Sequence, residues 1–284
     1  MTGSGSSAGL GLISAAAWGG SDFAGGFGAR RAPAALVAVS GHGVSFLILL
    51  TLCLGLKACL PDFHFLLYAI LGGFEGALAL AIFYRALSMG GMGLTAALAG
   101  LLTALVPVGF SAIRYGLPTP FAAVGLAAGC AAIWLITRSS GAENPAKTGT
   151  PAAALWLGVI AGAGFGAQLI FFKLAGGGNL LWVMAAARAA GVTALLLALL
   201  TMPPKAPWRG FWRMGIVAGL LDTAGNLLYM EAARLGRLDA AAVICSLYPA
   251  GTILLASLVL HEHPTRRQWA GMALALAAVA ILGS

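Results

Sequence analysis

Ser139-Ser140-Gly141-Ala142-Glu143-Asn144-Pro145-Ala146-Lys147-Thr148-Gly149-Thr150-Pro151 is the longest polar stretch of the chain and lies halfway along it. Gly, Pro and charged residues at this density form no apolar face, so the stretch reads as a linker. On both sides of it, apolar runs of about 20 residues recur, each long enough to span a hydrocarbon core of about 30 Å. Ten such spans are expected, at roughly 9–28, 34–56, 64–88, 93–114, 119–138, 151–173, 178–201, 210–234, 239–260 and 265–283. The breaks carry helix-ending residues: Arg30, Arg31 and Pro33; Lys57, Pro61 and Asp62; Pro118 and Pro120; Pro203, Pro204 and Pro207; Pro264.

The composition agrees. Of 284 residues 60% are hydrophobic and only 8% charged, with a mean hydropathy of +0.95. A soluble domain carries roughly a quarter charged residues, so this chain cannot cover a water-facing surface. Lipid offers the backbone no hydrogen-bond partner, which leaves helices or a closed barrel. Barrel strands alternate with period two, whereas these runs are continuous and rich in Ala, Leu and Gly. The expectation is an all-α polytopic membrane protein. The net charge of +8 would suggest nucleic acid in a soluble protein. Here most Lys and Arg lie in short loops, facing lipid head groups, and no nucleic-acid partner is implied. Cys53, Cys59, Cys130 and Cys245 form no CxxC pair, and three of them sit in apolar runs, so they read as small buried residues. Met1 to Leu10 has no basic n-region and no cleavage site of the signal-peptide kind.

The linker at 141–150 separates residues 1–140 from 151–284, and the two parts resemble each other. Gly11-Leu12-Ile13 with Trp18-Gly19 matches Gly158-Val159-Ile160 with Phe165-Gly166 at an offset of 147. Gly72 and Glu75 match Gly219 and Asp222 at the same offset, and Pro118-Thr119 with Gly125 matches Pro264-Thr265 with Gly271 at 146. Five spans is an odd number, so a second copy enters the bilayer from the opposite side. Two inverted five-helix repeats of this kind build alternately open faces around one central site in many secondary transporters.

Polar groups inside spans are costly and face a cavity or the bundle interior. Asp222, Asn226 and Tyr229 fall at i, i+4 and i+7 of one helix and form a polar stripe. The corresponding face of the third span carries Glu75 and Ala79. In the first span Trp18, Ser21 and Asp22 share a face with Ser14, and in the sixth Phe165, Gln168 and Phe172 do so. Related by a pseudo-two-fold axis, these four helices would line one cavity with aromatic walls and a few polar anchors, the make-up of a small-molecule site. Each residue also has a structural reading. Glu75 and Asp222 could pair with Arg188 or Arg85, Asp22 could cap or kink its helix beside Gly19, Gly20 and Gly25, and the aromatic residues could be packing. Arg188 is either a structural partner or an anchor for a substrate carboxylate. Tyr84 and Arg85, near the end of the third span, are expected to reach the head groups, and His42 to be a satisfied buried histidine. Glu75 and Asp222 are also the candidates for proton coupling, because a poorly solvated carboxyl favours its neutral form unless a cation holds the charge.

Enzyme signals are poor. His261-Glu262-His263 lacks the HExxH spacing, Gly25-Gly26-Phe27-Gly28 follows a membrane helix and not a strand, and no P-loop lysine motif occurs. No catalytic residue, cofactor or metal site is expected, and any active transport would draw on an ion or solute gradient. Nine Lys/Arg (Arg30, Arg31, Arg138, Lys147, Lys205, Arg209, Arg213, Arg266, Arg267) lie on the side of the termini and five (Lys57, Arg114, Lys173, Arg234, Arg237) opposite. By the positive-inside rule both termini are then outside the cytoplasm.

The duplicated five-span unit, Ala17-Trp18-Gly19, and the closing run Leu260-His261-Glu262-His263-Pro264-Thr265-Arg266-Arg267-Gln268-Trp269-Ala270-Gly271 resemble the drug/metabolite transporter superfamily in its ten-helix EamA-type members. His261-Glu262 stands where that family usually has Gly-Glu. Among its branches the chain looks most like the bacterial amino-acid exporters of the YddG kind. The resemblance implies a basket of ten helices in the inner (plasma) membrane and export of a small metabolite, plausibly an aromatic or large neutral amino acid. It also implies cytoplasmic termini, against the charge count. A monomer suffices for this architecture. Other readings are an importer, a drug exporter, or a membrane-embedded enzyme or scaffold that transports nothing.

Overall fold

The computed structural model describes residues 2–29, 32–89, 92–138, 152–201, 212–260 and 265–283. The linker at 141–150 lies outside the described residues, as do Arg30, Arg31, Lys147, Lys205, Arg209 and His261-Glu262-His263-Pro264. The described chain is helical, with no strand: α1 (Thr2–Ala29), α2 (Ala34–Gly55), α3 (Phe63–Ser88), α4 (Met92–Tyr115), α5 (Pro120–Arg138), α6 (Ala152–Ala175), α7 (Leu180–Thr201), α8 (Trp212–Leu235), α9 (Leu238–Cys245), α10 (Tyr248–Leu260) and α11 (Arg266–Gly283). Five helices (α2, α3, α4, α6 and α7) contain stretches long and apolar enough to cross a bilayer unaided. α1 and α8 match them in length but carry the polar stripes. α5 and α11 are shorter apolar helices. Large apolar side chains face outward, Ile113 at 90% exposure and Leu200 at 79%. Meanwhile Arg188, His42 and Asn226 are buried. That inside-out distribution suits lipid and not water.

One expected span is not a single helix. The run 239–260 breaks at Ser246 and Leu247 into α9 and α10. Pro249 explains the break: it has no N–H to give the Cys245 carbonyl, and its ring crowds that oxygen. The last turn tightens instead, with Leu247 N–H donating to Ile244 at 3.2 Å. The eight-residue α9 reaches only about 12 Å, so α9 and α10 make one discontinuous span together.

Exchanging the two halves maps the helix contacts onto one another. α1 packs along α8 as α6 does along α3, and α2 along α8 as α7 does along α3. α4 packs against α6 as the broken α9–α10 does against α1, while α2 meets α7 and α5 meets α11, each its own counterpart. Glycines set these approaches. A methyl added at Gly41 would overlap the backbone of Gly219, and one at Gly73 the backbone of Ala187. Likewise Gly225 takes the Trp18 ring and Gly164 lies against Ala79. Both correspondences run at an offset of 146, one short of the 147 that sequence matching assigned to the central helices. At 146 Asp222 corresponds to Gly76 and Glu75 to Leu221, so the two carboxylates are not equivalent positions. One residue turns a helix face by about 100°, which sends them to different neighbours.

One end of the bundle is tied together through main-chain carbonyls. Lys173 donates to the carbonyls of Ala233 and Gly236, and Arg234 reciprocates on those of Gly176 and Gly178. Trp182 Nε1 donates to the Ala58 carbonyl at 2.8 Å, and Arg237 Nη2 to that of Gly116 at 3.3 Å.

Candidate functional site

The polar centre forms where α2, α7 and α8 meet. Arg188, 2% exposed, donates from Nη1 to Asp222 Oδ2 at 2.7 Å and contacts His42 Nε2 at 2.9 Å. His42 Nδ1 lies 3.2 Å from the Ala38 carbonyl, which can only accept, so the imidazole proton sits on Nδ1 and Nε2 accepts from the guanidinium. Asn226 Nδ2 donates to Asp222 Oδ1 at 3.1 Å, one turn on. His42 and Arg188 are 146 positions apart, so they are each other's counterparts and the exchange axis passes between them. Asp22 on α1 follows Ser21, whose hydroxyl reaches the Ala218 carbonyl of α8 one turn before Asp222.

Two aromatic pairs flank this centre, one on each side of the axis. Trp18 on α1 and Tyr229 on α8 meet at a 32° tilt with ring centroids 6.0 Å apart, and Tyr248 meets Trp18 edge-on at 6.4 Å. Phe165 on α6 and Phe83 on α3 meet edge-on at 5.6 Å. Offset and edge-on geometries of this kind are the favourable ones for aromatic rings.

The remaining expected site residues divide. Ser21 is buried and donates to the Ala218 carbonyl at 2.9 Å, tying α1 to α8. Tyr229 is buried and its hydroxyl donates to the Leu169 carbonyl at 2.7 Å, joining α8 to α6. Phe172 is buried against Gly72, and Gln168 against Gly76. Glu75 is half-buried beside Gly164 and Ala79, and its Oε2 has no partner. The four helices expected around one open cavity pack instead as two tight pairs, α1 on α8 and α3 on α6. A crevice lies between α2, α3 and α8, lined by His42, Tyr84 and Asp222 among others, and is too narrow for a water molecule.

Tyr84 corrects a further expectation. It does not reach the head groups: it is 1% exposed and its ring fills the space over Gly25 of α1. Arg85 beside it is exposed. Sequence reading also passed over Phe83, Tyr248 and Ser246. Phe83 corresponds to Tyr229 at the 146 offset, which would have flagged it. Among the described residues no cluster of His, Cys, Asp or Glu could hold a metal.

Residues 152–284 match the model of the EamA-like transporter family, which is the second half of the chain. That match supports a membrane transporter of the drug/metabolite type. No curated protein matches the chain. The crystal structure of another protein is similar at a TM-score of 0.73 and 17% identity, covering 97% of this chain and 96% of that one. At that identity the likeness is one of fold.

Proposed function

We propose that this chain is a secondary transporter, a pair of inverted five-helix units at 1–140 and 151–284 that moves a small metabolite across the cell membrane by alternating access. The observation that carries the reading is the buried His42–Arg188–Asp222 cluster on the axis that exchanges the halves. Charges buried among apolar spans are expensive and by default point to a solute or ion path. Placed on the axis, the cluster can face either side of the bilayer when the two halves rock. The EamA-like match over the second half supports the same class.

Within that class the solute is an amino acid with an aromatic or large neutral side chain, moved outward through the inner membrane. Trp18 with Tyr229 and Phe165 with Phe83 supply apolar, stackable walls, each aromatic contact contributing about 1 kcal/mol. The two carboxylates have different parts. Asp222 is paired with Arg188, whereas Glu75 has no ion-pair partner among the described residues and is the group to exchange a proton for the solute. The test is uptake and release of labelled amino acids by proteoliposomes with and without a pH gradient. Flux that rises with the gradient supports the reading. A sealed, protein-containing vesicle that moves no amino acid while the protein converts a lipid-soluble compound would favour a membrane enzyme.

A further inference from the structure

Arg188 is held by one nitrogen only. Its Nη1 serves both Asp222 and His42, while Nε and Nη2 are buried without a partner. Nε–H and Nη2–H are coplanar and parallel, the edge of a guanidinium that grips both oxygens of a carboxylate. Leaving charged donors buried and unbonded is costly. If neutralising Asp222 were the whole task, a lysine would do it without carrying a second edge into the interior.

The charges nearby say more about what fits. Asp222 balances Arg188, and His42, with its proton on Nδ1, is neutral. Asp22 follows Ser21, whose hydroxyl bonds to the Ala218 carbonyl one turn before Asp222, and among the described residues no cation pairs with it. A bare carboxylate entering here leaves the buried cluster with a net negative charge, whereas a carboxylate carrying an ammonium group adds none.

We infer that the Nε/Nη2 edge of Arg188 is the fork that takes the carboxylate of the transported solute, with Asp22 as counter-charge for an ammonium on the same molecule. This rests on the transporter reading and deepens it. The solute class is then zwitterionic, and the crevice lined by His42, Tyr84 and Asp222 is the seam that widens to admit it.

The experiment uses the unaltered full chain in proteoliposomes. Flux of each of the labelled protein amino acids is measured first. The best of them is then competed with its unlabelled self, its carboxamide and its 2-oxo acid. The fork requires the carboxamide to compete about tenfold or more weakly, the scale of a lost charge-assisted bidentate contact. The Asp22 role requires the 2-oxo acid to be weak as well, and Asp22→Asn to narrow that gap. Arg188→Lys, which keeps the charge beside Asp222, should lose the discrimination between acid and carboxamide. Equal competition by acid and carboxamide while flux persists overturns the fork and leaves the transporter reading standing. Absence of flux for every amino acid overturns both.

Discussion

The α1–α8 and α3–α6 seams are counterparts under exchange of the halves, yet one is ionic and the other nearly bare. At the first, Ser14 and Ser21 donate across the seam to the Gly225 and Ala218 carbonyls, and on its α8 side Asp222 is bound by Asn226 and by Arg188 of α7. On the second, Glu75 faces Gly164 with an unpartnered oxygen, and Gln168 lies over Gly76. Helix pairs that pack alike thus carry different chemistry. A one-residue difference in register is enough to turn Asp222 towards Arg188 and Glu75 towards α6. The division suits a machine in which one seam holds the solute and the other handles the proton.

The sharpest way to break that comparison is to remove a charge from the ionic seam. Asp222→Ala strands Arg188 in the interior and is expected to destabilise by about 3–5 kcal/mol, read as a lowered midpoint of thermal unfolding in detergent. Replacing the pair together, Arg188→Met with Asp222→Leu, should recover most of that stability while abolishing flux, since apolar replacements of similar volume restore packing and not binding. Next in size are the glycine contacts. Gly41→Ala and Gly73→Ala sit at corresponding crossings and should cost similar amounts, about 1–3 kcal/mol each. Gly43→Ala, with nothing within 4 Å of the new methyl, should cost nothing. Unequal losses at Gly41 and Gly73 would mean that the halves do not pack as equivalents.

Smaller effects sharpen the comparison. Trp18→Ala and Phe165→Ala should each shift preference among amino acids by about fivefold, the scale of a ~1 kcal/mol aromatic contact, measured as relative flux at equal folded protein. A uniform loss for all solutes that tracks loss of folded protein would make the rings packing only. Least visible in stability is Glu75→Gln, expected within about 0.5 kcal/mol of the parent because no partner is lost. Its effect should appear in transport: flux that no longer depends on a pH gradient. The ion-paired seam should behave oppositely, Asp222→Asn keeping the gradient dependence of whatever flux remains. If Glu75→Gln leaves the dependence intact, the proton is carried elsewhere.

The helices were legible because their signal is local. About 20 apolar residues ended by Pro61-Asp62 or Pro118 can be read from the chain without knowing its neighbours. The polar stripe Asp222, Asn226, Tyr229 was legible for the same reason. Interhelical facts were less so. Arg188 and Asp222 are 34 residues apart on different helices, and sequence offered Arg85 as an equal alternative. Apolar matches tolerate a one-residue slip, so the offset of 147 put Glu75 and Asp222 together where packing runs at 146. Tyr84 was misjudged because its distance from the helix end suggested a head-group contact, while Gly25, on another helix, made room for it inside. The break between α9 and α10 had a local sign in Pro249, hidden in a run otherwise apolar throughout.

The ties at one end of the bundle have a consequence for how this chain can drift. Lys173, Trp182, Arg234 and Arg237 supply all the specificity, since each acceptor is a main-chain carbonyl, at Ala58, Gly116, Gly176, Gly178, Ala233 or Gly236. Every residue type presents that oxygen, so hydrogen bonding places no demand on which amino acid occupies the accepting position. Half of each clasp is therefore silent in any sequence record. A descendant chain keeping only the four donors would inherit the clasps intact, and one that lost a donor would find no compensating change available on the other side.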